Sequence, residues 1–262
     1  MQPIFIGDIQ GCADELEALL SRAKRSFGNR CEFWFAGDLV NRGPDNLRVL
    51  SRVRELHDRG RAHCVLGNHD LHFLAGYWGL RQPGPLDTLH ELLDRKDVAD
   101  WADWLRRLPV AIAGKLSKRP FLLVHAGVHP RWSLQDVRQR ARKIGKRLGG
   151  KEREAQVFLR ETPAPDSLRD DLARMTNGRS VSGDSWSKEE PGGDWQPWHR
   201  PWRRLKHDYG IVYGHWSTQG LHVKRALRGI DTGCVHHGRF GDRALTAWLP
   251  DLRRADPFAL PD

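Results

Sequence analysis

The chain has 262 residues, 39% hydrophobic and 29% charged, a balance that fits a globular protein and not a disordered one. Its 43 Lys and Arg against 33 Asp and Glu give a formal charge of +10, which favours anionic partners such as nucleotides, polyphosphates and RNA. No apolar run reaches the ~20 residues of a helical membrane span, and Cys12, Cys31, Cys64 and Cys234 are too scattered for a disulfide scaffold or a structural zinc site.

The N-terminal residues show neither a basic region nor a long apolar one, so a cytoplasmic, reducing location is expected. The first seventy residues then follow a rhythm. Ile4 to Ile6 ends in Gly7-Asp8, Phe33 to Ala36 in Gly37-Asp38, and Cys64 to Leu66 in Gly67-Asn68. Asp8, Asp38 and Asn68 stand thirty positions apart, about one strand, one helix and their loops. The first intervening helix carries Leu16, Leu19, Leu20, Ala23 and Phe27 on one stripe, after Asp14 and Glu15. Pro44 is expected to open the second, with Val49, Leu50, Val53 and Leu56 on its apolar side. Parallel strands of this kind gather their carboxyl ends into a ligand crevice.

Residues 71–108 read as helical, broken at Gln82-Pro83-Gly84-Pro85. A strand over 121–124 ends in His125-Ala126-Gly127. Residues 133–160 read as a basic helical stretch, and 162–201, rich in Pro, Gly, Ser and Asp, as long loops. A strand over 211–213 ends in Gly214-His215, and short strands are expected near 221–223, 226–230 and 244–249. The whole of 1–262 is expected to form one domain, with helical and loop insertions around 71–110 and 133–205.

A Gly-Asp after a strand is usually a turn, and a lone Asn-His usually caps a helix. Five such ends in one chain are another matter, because carboxylate, amide and imidazole donors at converging strand ends suit two adjacent divalent metals. The ordered set Gly7-Asp8-Ile9-Gln10-Gly11, Gly37-Asp38-Leu39-Val40-Asn41-Arg42-Gly43, Gly67-Asn68-His69-Asp70, His125-Ala126-Gly127 and Gly214-His215 resembles the phosphoprotein-phosphatase branch of the metallophosphoesterases. Ser187-Lys188-Glu189, Gly214-His215-Trp216 and Asp231-Thr232-Gly233-Cys234 resemble, within that branch, the family of symmetrical dinucleoside tetraphosphate hydrolases.

That resemblance implies an α/β fold, a four-layer αββα sandwich with a dimetal site at the strand C-terminal ends. It implies water attack on an inner phosphorus of diadenosine tetraphosphate, giving two ADP, with Np4-capped RNA 5′ ends as a second substrate for the same chemistry. It implies Asp38 as the bridging ligand, Asp8 and Gln10 on the first metal, and Asn68, His125 and His215 on the second. Mn²⁺ is the expected ion, with Co²⁺ as the substitute. His69 is implied as the group that protonates or stabilises the leaving oxygen, and Arg42 as a fork for phosphate oxygens. Neither a membrane nor an obligate protein partner is called for.

Two positions depart from the superfamily pattern. Gln10 stands where His is usual and offers only a neutral amide oxygen. Asn41 stands where protein phosphatases place the Asp that supports the catalytic His. Either Asp70 supplies that support, or His69 works with a lower pKa. Lys188 and Arg174 are further candidates for phosphate contacts, and Trp186, in a stretch with Trp195, Trp198 and Trp202, for stacking a base. The basic run Arg138, Arg140, Arg142, Lys143, Lys146, Arg147, Lys151 and Arg153 reads as a solvated helix face or a funnel for polyanions. A protein Ser/Thr phosphatase of the same fold and a basic RNA-binding module with a decayed metal site remain the rival functions.

Overall fold

The computed structural model describes residues 1–236 and 244–260. β1 (Gln2–Ile6) leads to α1 (Ala13–Phe27), whose Leu16, Leu20 and Ala23 are buried on one stripe. β2 (Cys31–Phe35) is followed by α2 (Asn46–Asp58). Pro44 lies just outside this helix. Asp45 caps it instead, its carboxylate accepting from Arg48 N at 3.0 Å. β3 (Ala62–Cys64) runs to Gly67, and α3 (Asn68–Tyr77) starts directly there. The Pro-Gly-Pro break then separates it from α4 (His90–Leu93) and α5 (Val98–Leu105).

β4 (Ala111–Leu116) and β5 (Arg119–Val124) form an antiparallel hairpin. β4 has no counterpart among the expected elements. Gly114 interrupts its pattern for a packing reason, since a Cβ there would lie 2.6 Å from the Phe121 ring. α6 (Leu134–Gly149) starts at a Ser133–Asp136 capping box, and α7 (Glu152–Arg160) follows. The stretch expected as loops is more ordered than its composition suggests. It contains α8 (Leu168–Asn177), the small sheet β6 (Ser180–Ser182), β7 (Ser185–Ser187) and β8 (Gln196–Pro197), and α9 (His199–Arg204). These elements are short, and buried Leu172, Met175, Trp198 and Trp202 anchor them to the core. β9 (Gly210–Tyr213), β10 (His222–Lys224), β11 (Leu227–Gly229) and β12 (Ala247–Trp248) complete the order.

The strands form two main sheets, β12-β1-β2-β3 and β10-β11-β9-β5-β4. β1, β2 and β3 are parallel, with Ile4 opposite Phe33 and Phe33 opposite Ala62. Alternation along each strand shows why the sheets stack. Phe5, Val212, Phe121 and Leu123 belong to one core cluster between the sheets, where Phe5 meets Phe121 edge to face at 5.3 Å. Their neighbours Ile4, Ile6, Leu122, Val124 and Ile211 belong to the other, which includes the apolar stripes of α1, α2 and α6. Both faces of each sheet are thus covered, in the four-layer αββα sandwich that the resemblance implies.

Candidate active site

Five strands deliver one set of side chains to one place. Asp8 follows β1, Asp38 follows β2, Asn68 follows β3, His125 follows β5 and His215 follows β9. Ligand atoms of Asp8, Asp38 and His125 all lie within 4.8 Å of one another, and all three residues are buried. Asn68 Oδ1 is 3.0 Å from His125 Nε2 and 2.9 Å from His215 Nδ1. The His215 backbone N–H donates to both Asp8 oxygens at 3.1 Å, and Gln10 Nε2 donates to Asp38 Oδ2 at 3.1 Å. The six residues expected as ligands are therefore together.

The chemistry of this donor set fits a cation. His125 Nδ1 donates to Ala36 O at 2.8 Å, so its Nε2 carries a lone pair. His215 Nε2 donates to Asn177 O at 3.2 Å, so its Nδ1 does the same. Both lone pairs face the Asn68 carbonyl oxygen, and the Asp38 carboxylate lies 3.4 Å from His125 Nε2. The two imidazole lone pairs and the Asn68 oxygen converge with no proton between them. Burial, and then the charges of Asp231 and Asp38, push the Asp8 pKa well above its usual value. Burial pushes Asp38 up to about 7 and Asp231 up to about 6. Burial also lowers His125 to about 4 and His215 well below its ordinary range, which keeps both imidazoles neutral and able to ligate. Crowded buried carboxylates beside neutral imidazoles lack a counter-charge that two divalent ions would supply.

The backbone is shaped for this convergence. Gln10, Asp38, Asn41, Arg42 and His215 all have positive φ, between 49° and 80°, a conformation that non-glycine residues hold only where the surroundings impose it. The close approach also requires glycine. A Cβ on Gly214 would sit 2.0 Å from Asp8 Oδ1, and one on Gly67 would sit 2.1 Å from Asp38 Oδ1.

His69 lines the mouth of the site. Asn41 Oδ1 accepts from Arg42 N at 2.8 Å and Thr88 N at 3.0 Å, which sets the orientation of its amide. Asn41 Nδ2 then donates to Asp87 Oδ1 at 2.9 Å and to His69 Nδ1 at 2.9 Å. His69 Nδ1 is thus an acceptor, and its proton sits on Nε2, 4.0 Å from Asp38 Oδ2. Burial, and then the charges of His72 and Arg42, lower the His69 pKa to about 2, so the ring is neutral. Of the two expected alternatives, the structure has the lower pKa. Asp70 does not support His69. Its oxygens accept from Leu39 N (2.9 Å), Val40 N (3.4 Å) and Gly67 N (2.9 Å), which ties the ends of β2 and β3 together. Asp87 is the carboxylate behind Asn41. Burial alone would raise its pKa, but bonds from Gly84 N, Asn41 and Arg81 outweigh that and hold it below the usual carboxylate range. No motif announces Asp87, which lies in the Pro-Gly segment that interrupts the helices.

The cleft over the cluster has a volume of about 320 Å³ and includes Gln10, Arg42, His69, Arg179 and Asp231 in its lining. Asp231 belongs to the Asp-Thr-Gly-Cys motif, so its signal was present. Arg179 follows α8 in the stretch expected as loop, and its Nη1 donates to Lys188 O at 3.2 Å. Lys188 is exposed, and its charge acts on His72. Arg174 and Trp186 lie elsewhere. Arg174 is buried, ion-paired with Asp170 at 3.8 Å and set over the Trp132 ring at 5.5 Å. Trp186 donates its indole N–H to the same Asp170 at 2.8 Å. Trp198 and Trp202 are core residues. Within the basic run, Arg140 pairs with buried Asp171 and Arg147 with Glu161, while Arg138, Arg142 and Lys146 line a separate cavity of about 810 Å³ between α6 and β4.

Comparison with known proteins agrees with this geometry. The calcineurin-like phosphoesterase profile matches residues 1–219. A symmetrical bis(5′-nucleosyl)-tetraphosphatase of Ralstonia nicotianae is 38% identical, over 93% of this chain and 89% of that protein. Those of Bordetella pertussis (36% identical, 92% of each chain) and Vibrio cholerae (34%, 91% of this chain and 93% of that one) are similar over the same length. A crystal structure of a candidate diadenosine tetraphosphatase superposes with a TM-score of 0.60 at 26% identity, covering 95% of this chain and 93% of that one. A protein-tyrosine phosphatase from a Shewanella species (TM-score 0.56, 16% identity, 94% of this chain and 74% of that one) shares the fold. This chain belongs to the calcineurin-like phosphoesterases and, within them, to the family of symmetrical bis(5′-nucleosyl)-tetraphosphatases.

Proposed function

We propose that the protein hydrolyses diadenosine tetraphosphate and related dinucleoside polyphosphates at an inner phosphorus, releasing two nucleoside diphosphates, with two Mn²⁺ ions as its cofactor. Asp38 would hold both ions, Asp8 and Gln10 the first, and Asn68, His125 and His215 the second. Gln10 would turn its amide to offer Oε1. Bound there, the ions supply an activated water and neutralise charge on the phosphates. Arg42 and Arg179 bind and orient the non-bridging oxygens through their guanidinium forks. His69 directs its Nε2–H at the leaving oxygen. The buried free cysteines are compatible with a reducing cytoplasm.

One observation carries the substrate class: an amide, that of Asn41, and not a carboxylate bonds His69 Nδ1, and the Asp87 carboxylate reaches the ring only through that amide. The leaving group of an anhydride is a phosphate oxygen with a pKa of about 6, stable as an anion near neutrality. A hydrogen bond is enough to help it depart. A phosphoserine ester releases an alkoxide, which needs a whole proton from an imidazolium held by a direct carboxylate. This centre is suited to the first task. The test is to incubate the protein with diadenosine tetraphosphate and Mn²⁺, and in parallel with a phosphoserine peptide. ADP as the sole nucleotide product, with slow peptide turnover, is expected. ATP plus AMP, or faster turnover of the peptide, would overturn the reading. The same water attack applies to a nucleoside-tetraphosphate cap on RNA, which a capped oligonucleotide would test.

A further inference from the structure

A second pocket, of about 460 Å³, opens beside the metal-ligand cluster. That volume lies within the ~300–1,000 Å³ range of small-molecule sites. It is formed by α3, the end of α7 and α8, and it shares Asn68 with the cleft. Asn177, at the end of α8, also lines it, and the carbonyl of that residue holds the His215 ring at 3.2 Å. The pocket therefore adjoins the site that would hold the second metal.

Its lining combines two chemistries. Leu71, Ala75, Leu80 and Leu159 are apolar. Arg160, Arg169 and His72 are basic. Arg160 is exposed, and its side chain makes no hydrogen bond or ion pair among the described residues. Arg169 is partly buried, and its Nε has no hydrogen-bond partner; nor has Nδ1 of His72. A buried guanidinium N–H without an acceptor is costly, more so than an ordinary buried donor because it carries charge. Two arginines without a bonded acceptor, lining one pocket with four apolar side chains, form the complement of a ligand with an anionic end and a flat apolar end. Arg81, at the same pocket, shows the contrast, since it is ion-paired with Asp87 at 2.5 Å, whereas Arg169 feels the Glu161 charge without an ion pair to it.

We propose that this pocket binds a nucleoside phosphate, with its phosphates on Arg160 and Arg169 and its base against the apolar lining residues. The proposal rests on the polyphosphate reading above, in which the pocket grips one nucleotide arm while the phosphorus under attack lies over the metal ligands.

The probe is ADP, titrated calorimetrically into the full-length protein in EDTA, so that no metal can hold the phosphates. Wild-type protein should bind ADP, and Arg160→Ala and Arg169→Ala should each weaken it about 10-fold or more, the loss of a charged fork on phosphate. Arg22→Ala, an exposed change on α1, should not. KM for diadenosine tetraphosphate should rise in the same two variants. Arg160 is on the surface, so its variant will fold and can carry the test alone if Arg169→Ala does not. Arg169→Lys, which keeps the charge but loses the fork, should fall between wild type and alanine. Absence of ADP binding by the wild type, or unchanged affinity in Arg160→Ala, would overturn the proposal. Failure of the tetraphosphatase reading is seen separately, as wild-type protein that does not cleave the tetraphosphate whatever its affinity for ADP.

Discussion

Adding Mn²⁺ to metal-free protein should stabilise it far more at pH 8 than at pH 5.5. Burial raises the pKa of Asp38 to about 7 and of Asp231 to about 6, and raises Asp8 as well. Raised carboxylates hold protons in the folded, metal-free protein, and the stability they contribute in that form is lost as pH climbs through their folded pKa values. Above pH 7 the site contains mutually repelling anions, which a cation relieves. At pH 5.5 a cation must first displace the Asp38 proton, 1.5 units below the pKa of about 7. That costs about 2 kcal/mol, or ~30-fold in dissociation constant. His125 and His215 are neutral at both pH values, so they add nothing to the difference. At a Mn²⁺ concentration 100 times the dissociation constant at pH 8, one site yields about 2.7 kcal/mol, against about 0.8 at pH 5.5. For a chain of this size these correspond to roughly 5 °C and 1.5 °C in Tm. Differential scanning fluorimetry of EDTA-dialysed protein, with and without Mn²⁺, measures both. Equal shifts at the two pH values would mean that the buried carboxylates are not where the metal binds.

Asp70→Ala should lower stability by about 3 kcal/mol or more in urea denaturation, because it leaves the buried N–H groups of Leu39, Val40 and Gly67 without their acceptor; a loss under about 1 kcal/mol would contradict the structural role. His69→Asn should keep both metals, read by elemental analysis, while the rate falls roughly 10²–10⁴-fold. A parallel fall in metal content would make His69 a ligand. Gln10→His should lower the Mn²⁺ concentration for half-maximal rate, since imidazole is the better donor for first-row metals. An unchanged titration curve would place Gln10 outside the first metal's coordination.

Much of the fold and the centre was legible because one periodicity governs both. Asp8, Asp38 and Asn68 recur every thirty residues because each βαβ unit returns the chain to the same edge of a parallel sheet. The later site residues His125 and His215 follow strands of the second sheet and keep the same signature, an apolar run and then a polar residue beside glycine. What was hidden depends on contacts between distant segments. β4 is disguised by Gly114, which is small because Phe121 needs the space. α8 is a short helix hidden between turn-forming flanks, and the β6–β8 sheet is built from residues that favour turns, a preference that burial of Val181, Trp198 and Trp202 overrides. Arg174 and Trp186 looked available for substrate, yet both are bound to Asp170, a partner no local pattern connects to them.

The support of His69 links the centre's geometry to its chemistry. Asp70 is the nearest acidic residue in sequence, one position from His69, and sequence proximity made it the natural partner. It lies at the start of α3, however, where the unpaired N–H of Gly67 and the strand-end amides of Leu39 and Val40 compete for its oxygens. A carboxylate so occupied cannot also turn to an imidazole. The partner comes from forty-six residues beyond Asn41, in a segment pinned by Gly84 N and Arg81. Asn41 must stay an amide there, because its two N–H groups bridge two acceptors, Asp87 Oδ1 and His69 Nδ1, while its oxygen accepts from Arg42 and Thr88. An aspartate in that place would face Asp87 with like charge. The arrangement therefore commits His69 to one tautomer, and the Nε2–H it directs over Asp38 is a donor at every pH where the protein is folded and the ring is neutral.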